Sequence, residues 1–323
     1  MFLKSHLKIL LLVLVLHISL PVIGLSIYGY LKDRAYEENQ LKANLLMLTR
    51  AVSNDLKQNI RTTEGLLKAL SGLPFVTNQD WDTCQTTLSG LIDQFEAYTL
   101  IGVADINGDF VCISDPLIDP VNISDRAYFQ NAIQTGSFAF GEYQIGRVTQ
   151  KPVLVFANPI INQEQQITGV VFAGVDLEWL DEYLDNYPMP ENIVFTILDS
   201  NGVVMARTSD AQQWVGKNVS DTDIAEYILS DGDEGNIDAT GIDDVEKTYA
   251  YKKVTVSSGS KFYVYTGLET DYLSRKINQA LVQNTLVAIV TIILVLTVAF
   301  IDWKIITRRF IKNQSKINNL PQQ

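Results

Sequence analysis

Two long apolar runs constrain this chain before any motif does. Ile9–Leu31 and Ala280–Ile301 are almost wholly apolar, and each exceeds the roughly 20 residues a helix needs to cross a bilayer. His17, Ser19 and Pro21 interrupt the first run, which a membrane helix tolerates. A cleaved signal peptide is the alternative for that run, but no Ala-x-Ala site follows it. Runs of this kind near both ends predict two membrane spans around a domain of about 250 residues.

Charge orients that domain. Outside the runs, the ends carry Lys4, Lys8, Lys304, Arg308, Arg309, Lys312 and Lys316 against one acid, Asp302. Basic flanks stay in the cytoplasm, so both termini are expected inside and the intervening domain outside. The formal net charge is −12 over the whole chain and +6 at the ends, so the stretch between carries −18. Such an acidic surface repels nucleic acid and anionic lipid. The 2 cysteines, Cys84 and Cys112, would pair in an oxidising compartment or pack as small apolar residues; spacing leaves both open.

The periodicity divides the domain. Leu31–Leu70 has no Gly or Pro before Glu64, and Leu41, Leu45, Leu48, Val52 and Leu56 recur at helical spacing. One long helix is expected, ended by Ser71-Gly72-Leu73-Pro74. Its stripe would pack on its own domain or on an identical helix. Trp81–Tyr98 reads as a second helix. Then Thr99–Ala104 and Phe110–Ser114 read as strands around Asp105-Ile106-Asn107-Gly108, a turn whose Asn-Gly pair would take the positive φ angles. The pattern returns at Ile193–Leu198 and Val203–Arg207 around Asp199-Ser200-Asn201-Gly202. Each copy closes with a strand, Val170–Val175 or Phe262–Leu268, leading into an acidic helix start. Two similar α+β modules in tandem are the simplest account.

The first module carries the most suggestive chemistry. Arg126 stands beside Tyr128 and Phe129, followed by the turn glycines Gly136, Gly141 and Gly146 and the strand signal Pro152–Ala157. A guanidinium grips a carboxylate through two parallel hydrogen bonds, and rings wall a pocket. Tyr128, Tyr143 and Phe156 are candidate walls; Phe129 reads as core and Lys151 as solvated. Asp231–Asp238 is acidic, but Asn236 and Ile242 break the calcium-loop template, and a solvated turn is expected. Asn122-Ile123-Ser124 and Asn218-Val219-Ser220 match a glycosylation signal. His6 and His17, both in or near the first run, are the 2 histidines, so no metal or cofactor pattern and no catalytic base is evident outside the membrane. A non-enzyme is expected.

The blocks SDRAYFQNA, GRVTQKPVLVFANPI and GVVFAGVDLEWL, then ILDSNGVVMART, WVGK and Tyr249-Ala250-Tyr251, together resemble the double Cache (dCache) sensor domains of bacterial transmembrane receptors. The resemblance implies two PAS-like modules on a long N-terminal helix, flanked by two transmembrane helices. The expected division is 1–8 cytoplasmic, 9–31 span, 32–77 stalk helix, 78–190 membrane-distal module, 191–270 membrane-proximal module, 271–279 connecting helix, 280–301 span and 302–323 basic cytoplasmic tail. It implies a homodimer in the bacterial inner membrane, with the ligand in the distal module. The amino-acid-binding members use an Arg, an aromatic pair and an Asp on the last distal strand. Arg126, Tyr128 and Asp176 match those places, Asp176 as partner of an ammonium group. Its alternative role is to cap the Glu178–Leu184 helix. Phe129 lacks a hydroxyl, Val121 stands for a Tyr and Tyr128 for a Trp, so an amino acid and a small organic acid both remain as ligands. Such receptors end in a cyclase, a kinase or a chemotaxis rod. Here 22 residues follow Ile301, which implies a truncated receptor or a separate output partner. A membrane-anchored interaction scaffold without a small ligand is the other reading.

Overall fold

The computed structural model describes residues 2–115, 119–188, 192–230, 232–256 and 259–317. Helix α1 runs Phe2–Ser71 and stops at Gly72-Leu73-Pro74, as the breaker residues demand. Short α2 (Pro74–Thr77) and α3 (Trp81–Ile92) follow. Helix α3 is capped by Asp80, whose carboxylate accepts from the Thr83 N–H. It ends at Ile92 rather than Tyr98: residues 93–97 form turns, and Phe95 is exposed instead of continuing the buried face.

The first module then supplies β1 (Tyr98–Asp105), β2 (Phe110–Ile113), α4 (Ala127–Thr135), β3 (Ala139–Phe140), β4 (Gln144–Ile145), β5 (Pro152–Ile161), β6 (Ile167–Asp176) and α5 (Leu177–Asp185). The second supplies β7 (Ile193–Leu198), β8 (Val204–Arg207), α6 (Ala211–Trp214), α7 (Asp223–Ser230), β9 (Glu234–Thr240), β10 (Glu246–Thr255) and β11 (Lys261–Glu269), before α8 (Thr270–Ile317). The described strands form two antiparallel sheets. Their orders, β2-β1-β6-β5-β3 with β4 on β5 and β8-β7-β11-β10-β9, are the same arrangement used twice.

Each repeat begins with the same hairpin. Only the glycine turns left-handed, Gly108 at φ +87° and Gly202 at φ +80°. Asn107 and Asn201 stay at negative φ, contrary to the expectation from Asn-Gly. The reason is the preceding aspartate. Asp105 Oδ1 accepts from the Asn107 and Asp109 N–H groups, both at 2.9 Å. Asp199 Oδ1 does the same for Asn201 and Val203 at 2.9 and 2.8 Å. An aspartate-held turn followed by a bulge replaces the two-residue turn.

Residues 42–270 form one compact unit, and residues 1–41 with 271–323 form another. Within the former, the α1 stripe continues through Val52, Leu56, Ile60 and Leu67 against both sheets, in a core shared with Phe156, Phe195 and Phe262. The stripe thus packs on its own domain. Thr63, a polar residue among these apolar ones, is buried and hydrogen-bonds Tyr98 Oη at 2.8 Å. Cys84 and Cys112 are disulfide-bonded and buried. Among the described residues no helix is long and apolar enough to cross a membrane; many side chains of 9–31 and 280–301 lie outside the described ones. In the acidic run, Asp231 lies outside the described residues. The rest is not a solvated turn: Glu234–Asp238 joins strand β9, where Glu234 pairs with Arg50 and Asp238 with Lys42.

Candidate ligand-binding site

The site is built where the loop after β2 meets the start of α4. Asn122 docks this loop on the hairpin: its Nδ2 donates to Asn107 O and Asp109 Oδ1 at 3.0 and 2.7 Å. Its Oδ1 accepts from the Ser124 N–H at 2.9 Å. Gly108 is required beneath, since a Cβ there would lie 2.6 Å from Ser124 N. Asn218 and Ser220 repeat this latch over Gly202. Both glycosylation-like triplets therefore have a structural role.

The latch sets Arg126 at the N-cap of α4, with extended backbone and no capping side-chain bond. Its half-buried guanidinium makes one long hydrogen bond, Nη2 to Ile145 O at 3.4 Å. Among the described residues it has no ion-pair partner. Asp125, the obvious candidate, is taken by Arg147, whose two terminal nitrogens meet its oxygens at 2.9 and 2.6 Å. That fork holds the Asp125 carboxyl below the usual range. The sequence alone does not mark Arg147. Its partner lies 22 residues away, and no local pattern marks such a pair.

Arg126, Arg147, Tyr128, Thr149, Phe172 and Gly174 line a pocket of about 40 Å³. Tyr128 is buried, and burial pushes its hydroxyl upward, so it stays protonated as a donor. Gly141 passes against its ring, where a Cβ would stand 3.1 Å from Cδ1. Phe129 is core, as expected. The volume is little more than the roughly 30 Å³ that one water takes in the liquid. Anything larger requires the loop over residues 141–151 to move.

The other expected members stand elsewhere. Along β5, Val153, Val155 and Ala157 share the core beside the pocket, while Leu154 and Phe156 belong to the core against α1. Side chains alternate along a strand, so Phe156 faces away from Arg126 and lies beside Phe138 and Phe140 at 5.8 and 5.9 Å. Tyr143 does not wall the pocket either. Its N–H donates to Asp199 Oδ2 at 3.1 Å, and its hydroxyl lies 2.5 Å from where a Cβ on Gly216 would stand, so it joins the two modules. Asp176 caps α5, accepting from the Glu178 N–H at 2.9 Å. Its second oxygen holds Lys151 Nζ at 3.0 Å. Lys151 is exposed, as expected, but is also an ion-pair partner, and Asp176 is satisfied by the chain itself.

The model of dCache_1, a Cache domain, matches residues 32–277. Sporulation kinase D of Bacillus subtilis (strain 168) is 22% identical over 171 residues, covering 52% of this chain; the chain spans about a third of that relative, 33%. Among solved structures, the extracellular domain of the putative histidine kinase rpHK1S-Z16 superposes with a TM-score of 0.64 at 16% identity, covering 72% of this chain and 96% of that one. The ligand-binding domain of the Pseudomonas fluorescens chemoreceptor CtaA, in complex with L-alanine, gives 0.56 at 13%, covering 72% and 98%. At these identities the likeness is one of fold; the match to the family model spans most of the sequence, and the chain belongs to the dCache_1 family of Cache domains.

Proposed function

We propose that the chain is a membrane-anchored, non-catalytic receptor whose first module captures a small extracytoplasmic carboxylate on Arg126. One observation carries this reading: a half-buried guanidinium with no acid partner among the described residues, in a pocket whose other cation, Arg147, is already neutralised. A bound carboxylate would supply the missing partner. The structural relative CtaA holds L-alanine, but an amino acid also needs an acceptor for its ammonium group. Asp176 is engaged by Lys151, which favours a carboxylate without an amine. An amino acid is the second reading and requires Lys151 to swing away. An interaction scaffold is the third, favoured by the small volume of the pocket.

The Cys84–Cys112 disulfide supports an oxidising, extracytoplasmic setting. Exposed apolar side chains in both terminal runs, among them Leu20, Leu25, Val287 and Phe300, support two spans in a bacterial inner membrane. A homodimer passing the signal through 280–301 to a kinase-type output accords with the likeness to a sporulation kinase. Titration calorimetry of the full chain in nanodiscs tests the ligand class. Propanoate should bind, and L-alanine should bind about tenfold more weakly or worse. Equal or tighter binding of L-alanine refutes the carboxylate reading, and binding of neither leaves the scaffold.

A further inference from the structure

A second cavity, of about 480 Å³, lies on the opposite side of the first sheet. It falls in the range of small-molecule sites, about 300–1,000 Å³, whereas the Arg126 pocket does not. Its wall is assembled from three sources: Leu56 and Ile60 of α1, Phe156 and Trp179 of the first module, and Met205 and Phe262 of the second. Interiors normally close-pack such side chains, and apolar wall left open to water forgoes stabilisation that an apolar occupant would restore.

Charge restricts the occupant. Among the described residues no Lys or Arg lines this cavity, while Asp93 and Glu96 stand in its lining on the turn after α3 and are exposed. Lys57 and Arg61 of α1 line a neighbouring depression, which shares Ile60 with the cavity, and there they stand with Glu64. An anion would meet two carboxylates and no counter-charge; an ammonium group at the mouth would meet its complement. Inside, the Thr63 and Tyr98 hydroxyls pair at 2.8 Å, leaving a mostly carbon surface. Burial raises the Tyr98 hydroxyl, which keeps it neutral and adds no charge to the wall.

We propose that this cavity is a second ligand site, taking an aromatic amine with its ring among Phe156, Trp179 and Phe262 and its ammonium toward Asp93 and Glu96. An occupant would touch the stalk helix and both modules at once, so its binding would act on the α1 packing that the Arg126 pocket does not reach. The site is independent of the carboxylate site and opposite to it in charge.

The test is calorimetry on the full chain in nanodiscs with 2-phenylethylamine and phenylacetate, which share ring and chain and differ in charge. The amine should bind saturably and the acid at least about tenfold more weakly. Ile60→Trp, which fills the cavity, should abolish amine binding. Asp93→Asn with Glu96→Gln, at exposed positions, should weaken it by about threefold or more, and added salt should do the same. Propanoate binding should be unchanged in both variants. No saturable amine binding by the unsubstituted chain, equal binding of phenylacetate, or amine binding undiminished in the Asn/Gln variant would each overturn the proposal. Should Ile60→Trp fail to fold, the Asn/Gln variant decides alone.

Discussion

Asp176 answers two neighbours with one carboxylate. One oxygen caps α5 and the other holds Lys151. Releasing Lys151 should therefore free an acceptor beside the pocket, since Val153, which lines it, pairs directly with Asp176 across the sheet. Lys151→Ala is expected to raise L-alanine affinity relative to propanoate by about tenfold in calorimetry, the value of one charge-assisted hydrogen bond. Arg126→Ala should cost propanoate about 1.5–3 kcal/mol for the same reason. An unchanged alanine-to-propanoate ratio would show that Lys151 does not gate the acid. Arg126 and Tyr128 were legible because a basic residue two before a ring at a helix start is a local pattern. Phe156 was not, because its face depends on strand parity, and parity is fixed only once the Val153–Val155–Ala157 side is known to meet α4. Arg147 and Lys151 were hidden for a simpler reason: each finds its acid at least 22 residues away.

At the scale of elements, the hairpin and its asparagine latch are the repeated unit. The Asp-x-Asn-Gly turns show the repeat in the sequence, since Oδ1 of each aspartate bonds within the next four residues of its hairpin. The latches did not, because Asn122 and Asn218 reach back 15 and 17 residues to the hairpin. Removing either leaves hydrogen-bonding groups of the turn without partners. Asn122→Ala and Asn218→Ala should each lower stability by about 1–3 kcal/mol in denaturant unfolding. Asn122→Ala should also weaken propanoate binding, because the latch sets the position of Arg126, whereas Asn218→Ala should not. Equal effects on binding would mean that the latch does not position the site. The boundary of α3 is not legible in the sequence, because Phe95 continues the helical spacing, yet its ring meets Tyr98 at 5.6 Å from a turn.

Across the whole molecule, α1 and the two sheets share a core, and two covalent or ionic devices reinforce it. The Cys84–Cys112 bond closes a loop with a separation of 28 residues. Reduction should cost about 3–4 kcal/mol by loop entropy, read as a lower denaturant midpoint. In the second module, burial pushes the Asp243 carboxyl up, but the Lys247 hydrogen bond and the charges of Lys247 and Arg207 outweigh it and hold it below the usual range. A depressed carboxyl stabilises the fold above its unfolded value of about 3.9 and loses that contribution as pH falls through the folded value. Unfolding midpoints should thus drop below about pH 4, and Asp243→Asn should flatten the drop. The two-module α+β plan was visible from periodicity because both repeats are built from local patterns. The shared core was not, since it is assembled from contacts between distant segments. The most direct test of the central claim is a structure of the chain with propanoate. The account predicts the carboxylate within hydrogen-bond distance of the Arg126 guanidinium, under the loop over residues 141–151. A carboxylate bound elsewhere, with Arg126 still partnered only by Ile145 O, would contradict it.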